Sequence, residues 1–339
     1  MEKHYIIPIF IPYYGDDNNF IFNYQKKTKD KINKEEIKKI IDDYLKSLET
    51  KDSNVEVSFY GGNFFTISKK KQIELLELAN DYIKSGAVKS IQICAKPNDI
   101  DKEALKLLKK YKVKSVELIV YSSNDYILKK LNCTYIFSNI KKSCKMLRWN
   151  GFKLSFQMLV GVPESTRIDE INTAKALIKL KPRMVKIQPV LVMKNTNLEK
   201  AYTSEEYVPL SLVQAVEICK ELINLFAQKN IDTDEFAVPE NKKDEVIAGP
   251  YHVNFRQLVE SALWYDAIVS KIKKLNAKVK EVEVTVNPID SEHVIGYQNE
   301  NVLKLKDVYD VDLILKQDEN LKQGKSKIEI TKTYNDFLE

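Results

Sequence analysis

Tyr5-Ile6-Ile7-Pro8-Ile9-Phe10-Ile11, followed directly by Pro12-Tyr13-Tyr14-Gly15-Asp16-Asp17-Asn18-Asn19-Phe20-Ile21-Phe22-Asn23-Tyr24-Gln25, is the stretch on which the fold is read. The first run is dense in β-formers and almost wholly apolar, as a strand buried on both faces must be. The second run is a long polar loop in which Phe20 and Phe22 stand between asparagines. In an α/β protein, the loop that leaves the carboxyl end of a parallel strand is where chemistry is usually placed.

Outward from this strand the chain alternates. Asn33 is placed to cap a helix from Lys34 to about Leu48, with Glu35 and Glu36 in its first turn and Ile37, Ile40, Ile41 and Leu45 at helical spacing. A second strand over Asn54 to Phe59 runs into Gly61-Gly62, and Ser68 opens the next helix. Strands at 90–94 and 115–121, a strand with its loop within 151–163, and a strand at 184–189 follow, each pair separated by a helical stretch. Strict strand-helix alternation predicts a parallel sheet. Beyond it come a helix through Ala215 and Phe226, an acidic loop at Asp232, Asp234 and Glu235, and a tail of strand, short helices and two further strands from Val279.

Composition bounds the rest. The 339 residues are 44% hydrophobic and 30% charged, the balance of a soluble globular protein. The amino terminus carries no run long enough to span a membrane and no signal-peptide pattern, which places the chain in the cytoplasm and away from membranes. A net charge of +6 permits a polyanionic partner without demanding one. The four cysteines, Cys94, Cys133, Cys144 and Cys219, match no compact metal motif and read as reduced thiols.

Several motifs together resemble the radical S-adenosylmethionine superfamily, in the branch of the Elongator catalytic subunit and its shorter bacterial relatives. The loop after Ile11 resembles their cluster-binding loop, Tyr60-Gly61-Gly62-Asn63-Phe64 their cofactor glycines, and Val116-Glu117-Leu118-Ile119-Val120-Tyr121-Ser122 their fourth strand. The runs Gly151 to Pro163 and Val190 to Glu199 match the family pattern over long stretches, and the likeness covers about residues 4 to 331, stopping before any acetyltransferase domain. The fold implied is α/β: a partial (β/α)6 TIM-like barrel of the radical SAM type over residues 1–200, a helical extension over 201–275, and a small α+β C-terminal domain over 276–339.

At the ligand positions the resemblance fails. The three cysteines of the family loop fall on Asp16, Phe20 and Asn23. Carboxylate and amide are hard oxygen ligands and a phenyl ring is none, so a normal [4Fe-4S] cluster is not expected. The arginine and histidine of the family's Asn-Arg-Gly-His are replaced in Asn132-Cys133-Thr134-Tyr135, and Ile119 and Tyr121 add bulk where the family has a glycine and a glutamine. The resemblance implies cofactor-binding positions at Tyr60, Gly61, Gly62, Asn63, Glu117 and Gln157. A buried Glu117 requires a partner, with Lys153 and Lys186 as the candidates. Tyr251, His252, Arg256 and Glu260 form a candidate substrate pocket.

The reading is a degenerate radical SAM homologue with no catalytic residue assigned and no metal ligands. It serves as a binding or partner protein beside an intact radical SAM paralogue or an RNA, with residual S-adenosylmethionine binding left open. One alternative is a non-radical enzyme that reuses the barrel pocket through Asp16, Asp17, Glu117 and Asn63 as Mg2+ ligands or acid and base. The other is a tRNA-related radical enzyme whose cluster is held in an unexpected way.

Overall fold

The computed structural model describes residues 4–11, 20–22, 33–48, 54–235, 240–275 and 278–334. Strands β1 (His4–Ile11), β2 (Asn54–Gly61), β3 (Ser90–Ala95), β4 (Val113–Val120), β5 (Lys153–Val160) and β6 (Met184–Pro189) are separated by helices α1 (Lys34–Ser47), α2 (Lys69–Lys84), α3 (Lys102–Lys110), the pair α4 (Asp125–Lys130) and α5 (Phe137–Trp149), and α6 (Arg167–Lys179). A short strand β7 (Val192–Met193) and helices α7 (Asn197–Thr203) and α8 (Leu212–Ala227) lead to β8 (Asp232–Glu235), and β9 (Val246–Ala248) pairs back on β7. The sheet runs β1-β2-β3-β4-β5-β6-β8 with every pairing parallel, an open partial barrel with the expected helix-covered architecture.

The seventh strand corrects the sequence reading, in which Asp232, Asp234 and Glu235 belong to a loop. Asp-Thr-Asp-Glu has no apolar alternation to announce a strand. It is held at the sheet edge by its backbone ladder to β6, which sets Asp234 beside Lys186 in register.

Local rules account for the elements. Asn33, Ser68 and Asp101 each accept a backbone N–H of their helix's first turn, and Thr166 and Asp169 close a capping box. In β4 the residues Val116, Leu118 and Val120 point to the helices, while Ser115, Glu117 and Ile119 point to the concave face; both sets are buried. The concave side of the central strands is therefore polar where the convex side is apolar.

A second compact unit comprises Leu212–Glu221 and the residues from Tyr251 onward. Here α9 (Phe255–Lys273), α10 (Ser291–Ile295) and α11 (Glu300–Tyr309) accompany a three-stranded sheet. In it, β10 (Val279–Val286) lies between parallel β11 (Asp312–Gln317) and antiparallel β12 (Ser326–Thr333). Val282, Val284 and Val286 bury one face of β10 against Ile268, Val294 and Leu305. Among the described residues no helix is long and apolar enough to cross a membrane.

Candidate functional site

The carboxyl ends of β1 and β2 lie very close together. Gly61 has φ +94°, and a Cβ there would stand 2.5 Å from the Phe10 ring and 3.1 Å from the Ile11 carbonyl oxygen, so only glycine fits. The Gly62 N–H donates to that same carbonyl at 2.7 Å. Asn63, buried, ties this loop to the next: its Nδ2 donates to Asp99 at 2.6 Å, and its Oδ1 accepts the Phe65 and Lys96 N–H groups at 3.2 and 3.4 Å. Tyr60 lies across from Phe10, with the rings edge to face at 5.8 Å.

Above the end of β4 sits an aromatic cluster. Phe20 is 3% exposed; its ring lies 5.3 Å from that of Tyr121 and 5.6 Å from that of Phe22, and Phe22 in turn stacks on Tyr121 at 5.5 Å. Tyr135 extends the stack behind Tyr121 at 6.4 Å. The Lys96 ammonium stands 4.6 Å over the Phe20 ring, a cation–π contact, and Asn197 donates to the Phe20 carbonyl at 2.9 Å. Phe20, Lys96, Tyr121, Cys133 and Tyr135 line a cavity of about 10 Å³, room for a water molecule and no more. Asp16, Asp17 and Asn23 lie outside the described residues.

Deeper on the concave face, successive strands contribute one polar ladder. The Glu117 carboxylate receives the Lys186 ammonium at 2.9 Å and the Gln92 amide at 3.3 Å, and Gln92 also reaches Ser58. Lys186, not the exposed Lys153, is therefore the partner of Glu117. Burial pulls the Lys186 ammonium down, but the charge and hydrogen bond of Glu117, with Cys94 and Asp234, outweigh it and hold the group above its ordinary range. Gln157 donates to Gln188 at 2.6 Å and accepts from the Cys94 thiol at 3.7 Å.

The loop after β5 is fixed by a buried carboxyl. Glu170 accepts the Gly161 N–H at 2.9 Å and the Ser165 hydroxyl at 3.0 Å, while Tyr207 donates to the Gly161 carbonyl at 2.7 Å. Burial raises the Glu170 carboxyl to about 7, against the smaller opposing effect of these donors. Because the folded value exceeds the unfolded one, the stability contributed is complete below about pH 4 and is lost as pH rises through 7. Wild type is expected to lose about 3 kcal/mol between pH 5 and 8 from this group. Glu170→Gln should flatten that fall in urea denaturation, and an unchanged pH profile in the variant would refute the assignment.

In the second unit, Arg256 and Glu260 pair at 2.9 Å and Glu260 also holds His293 Nε2 at 2.8 Å. His293 is raised from its usual value, first by that hydrogen bond. His252 instead packs edge-on against Tyr297 at 5.1 Å, its Nδ1 accepting the Asn254 N–H. Of the four residues proposed for a substrate pocket, Arg256 and Glu260 are directly bonded, whereas the contacts of His252 go to Tyr297 and Asn254.

Residues 15–177 match the family model of the radical SAM superfamily, and residues 182–265 that of the radical SAM C-terminal domain. The chain belongs to the radical SAM superfamily. An uncharacterized protein of Methanocaldococcus jannaschii is 29% identical over 166 residues, 48% of this chain and 51% of that protein. A tRNA uridine(34) acetyltransferase of Methanocaldococcus infernus is 26% identical over 157 residues, 44% of this chain and 28% of that protein. The chain thus spans about half or less of the curated relatives it matches. Among solved structures, the archaeal Elp3 of Methanocaldococcus infernus superposes with a TM-score of 0.63 at 19% identity, over 80% of this chain and 64% of that one, so the fold is Elp3-like.

The residues of this radical SAM chain do not fit the superfamily's cluster. All four cysteines lie among the described residues, and no three His, Cys, Asp or Glu side chains there gather as a metal site. Cys133 borders the cavity beside Phe20, but it is one thiol, pushed up to about 12 by burial against a small opposing effect of Lys96. Cys94, Cys144 and Cys219 are buried in β3, α5 and α8. Sequence reasoning missed Gln92, Gln188 and His293. The first two carry a signal, the period-two recurrence of polar residues in β3 and β6, whereas nothing near His293 in sequence points to Glu260.

Proposed function

We propose that this chain employs the radical SAM fold without a [4Fe-4S] cluster, as a non-catalytic binding or partner protein. The observation that carries the reading is Phe20: the residue aligned with a cluster cysteine is a buried phenyl ring packed between Phe22, Tyr121 and the Lys96 ammonium. The partner classes inferred are an intact radical SAM relative or an RNA, the second because the acetyltransferases it partly matches act, by name, on tRNA uridine. Asn63 and Glu117, two of the four groups in the non-radical enzyme alternative, already have Asp99 and Lys186 as partners, which weighs against that reading.

Anaerobic reconstitution with iron and sulfide tests the proposal. Iron and sulfide are expected to stay far below the four of each that a [4Fe-4S] cluster holds, with no reducible cluster signal in electron paramagnetic resonance. Near-stoichiometric uptake with that signal would overturn it. Calorimetric titration of the iron-free protein with S-adenosylmethionine, beside Gly62→Leu, then sorts the remaining role: heat lost in the variant marks a retained cofactor cleft, and absence of heat in both marks a scaffold.

A further inference from the structure

The helices and turns that lead into the amino ends of β4, β5 and β6, opposite the loops just described, carry a concentrated excess of positive charge. Segments 102–114, 137–153 and 175–183 hold fifteen lysines and arginines against one acidic residue, Glu103, although the whole chain is only +6. Everything outside these segments is therefore net negative. The fold brings the three together, since α3, α5 and α6 run directly into the amino ends of the neighbouring strands β4, β5 and β6. Lys153 lies in register beside Ser115. The Lys109 ammonium donates to Asn150 Oδ1 at 2.8 Å, and the Arg148 guanidinium to the Lys181 carbonyl at 3.1 Å. Lys106 is held by Glu103 at 3.0 Å, whereas the contacts of Lys109 and Arg148 go to neutral oxygens.

Helix dipoles explain part of this. Lys109, Lys110, Arg148 and Lys179 occupy last turns, where cations are favoured. They do not explain the mid-helix Lys141, Lys142 and Lys145, or the exposed Lys112, Lys114 and Arg183 beyond the helices. Lys112 and Lys181 moreover take φ of 58° and 45°, at helix exits where glycine or asparagine is the easy choice. At the end of α5 stands Trp149, 79% exposed, with the Lys145 ammonium 5.6 Å from its ring and Arg148 beside it in sequence. A large aromatic left in water amid cations is unfavourable for stability, and it suits a flat apolar ligand attached to an anionic chain.

We propose that this end of the barrel docks a single-stranded nucleic acid, with phosphates along the cations of the three segments and a base stacked on Trp149. An anionic membrane fits less well. Membrane insertion calls for several apolar side chains, and among the described residues of these segments Trp149 is the sole largely exposed large hydrophobic. The inference is independent of whether the opposite end holds a cluster.

The test is fluorescence anisotropy of a labelled oligouridylate titrated with the full chain across a range of salt. Binding should weaken with salt; in Lys145→Ala/Arg148→Ala the log–log slope should fall by about 1.4, two single-strand phosphate contacts. Trp149→Ala should weaken binding roughly tenfold with the slope unchanged. It should also abolish the oligouridylate-dependent quenching of the indole fluorescence of α5. Because these side chains are exposed, unaltered melting will certify folding. Absence of binding at low salt, wild-type affinity in both variants, or equal binding to polyglutamate or phosphatidylserine vesicles would each overturn the proposal.

Discussion

Lys186→Met is expected to destabilise the barrel by about 3–5 kcal/mol. The substitution removes the ammonium that lies 2.9 Å from Glu117 and leaves a carboxylate that is 2% exposed with the Gln92 amide at 3.3 Å. The large term is the stranded charge rather than the lost attraction, because two charges taken from water together roughly offset their own desolvation. The double variant Lys186→Met/Glu117→Leu should therefore recover most of the loss. Native-state hydrogen exchange of the β4 and β6 amides measures both, and reports on the barrel without requiring the whole chain to unfold as one. A single variant within 1 kcal/mol of wild type would mean that water reaches the pair.

Phe20→Ala should cost about 3–5 kcal/mol, the range for emptying a buried aromatic site. The ring meets Phe22, Tyr121 and the Lys96 ammonium together, so its loss removes packing and a cation–π contact at once. The loss should appear first as local opening. Amides around Leu131, whose carbonyl accepts the Ile21 N–H, should exchange faster before the barrel itself is affected. Phe20→Leu, which keeps an apolar side chain in the site, should retain more than half of the stability. Equal exchange in wild type and Phe20→Ala would show that the ring does not anchor this segment.

Both expectations concern side chains whose identities were plain and whose contacts were not. Alternation of strands and helices, the cap at Asn33 and the glycine pair after β2 are local signals, carried by spacing within a few residues, and they sufficed to read a parallel sheet, while the resemblance to the radical SAM superfamily implied its partial-barrel form and a small mixed domain after it in sequence. That Asp16, Phe20 and Asn23 offer no thiolate is likewise a matter of residue type alone. The edge strand β8 escaped because Asp232–Glu235 has no hydrophobic pattern; its pairing is a backbone event decided by the neighbouring β6. The choice of Lys186 over Lys153 turned on which face of the sheet each occupies, one buried on the concave side and the other in water.

By itself, then, the sequence determined the parallel strand–helix order and, through motifs that resemble the superfamily, the kind of scaffold, because periodicity and motif are properties of neighbouring residues. Only the tertiary structure decided that Phe20 meets Tyr121 and Lys96, that Glu117 meets Lys186, and that the exits of three basic helices meet beside one another. Those contacts join residues tens to a hundred positions apart, and parallel strand order, not local propensity, brings them within reach.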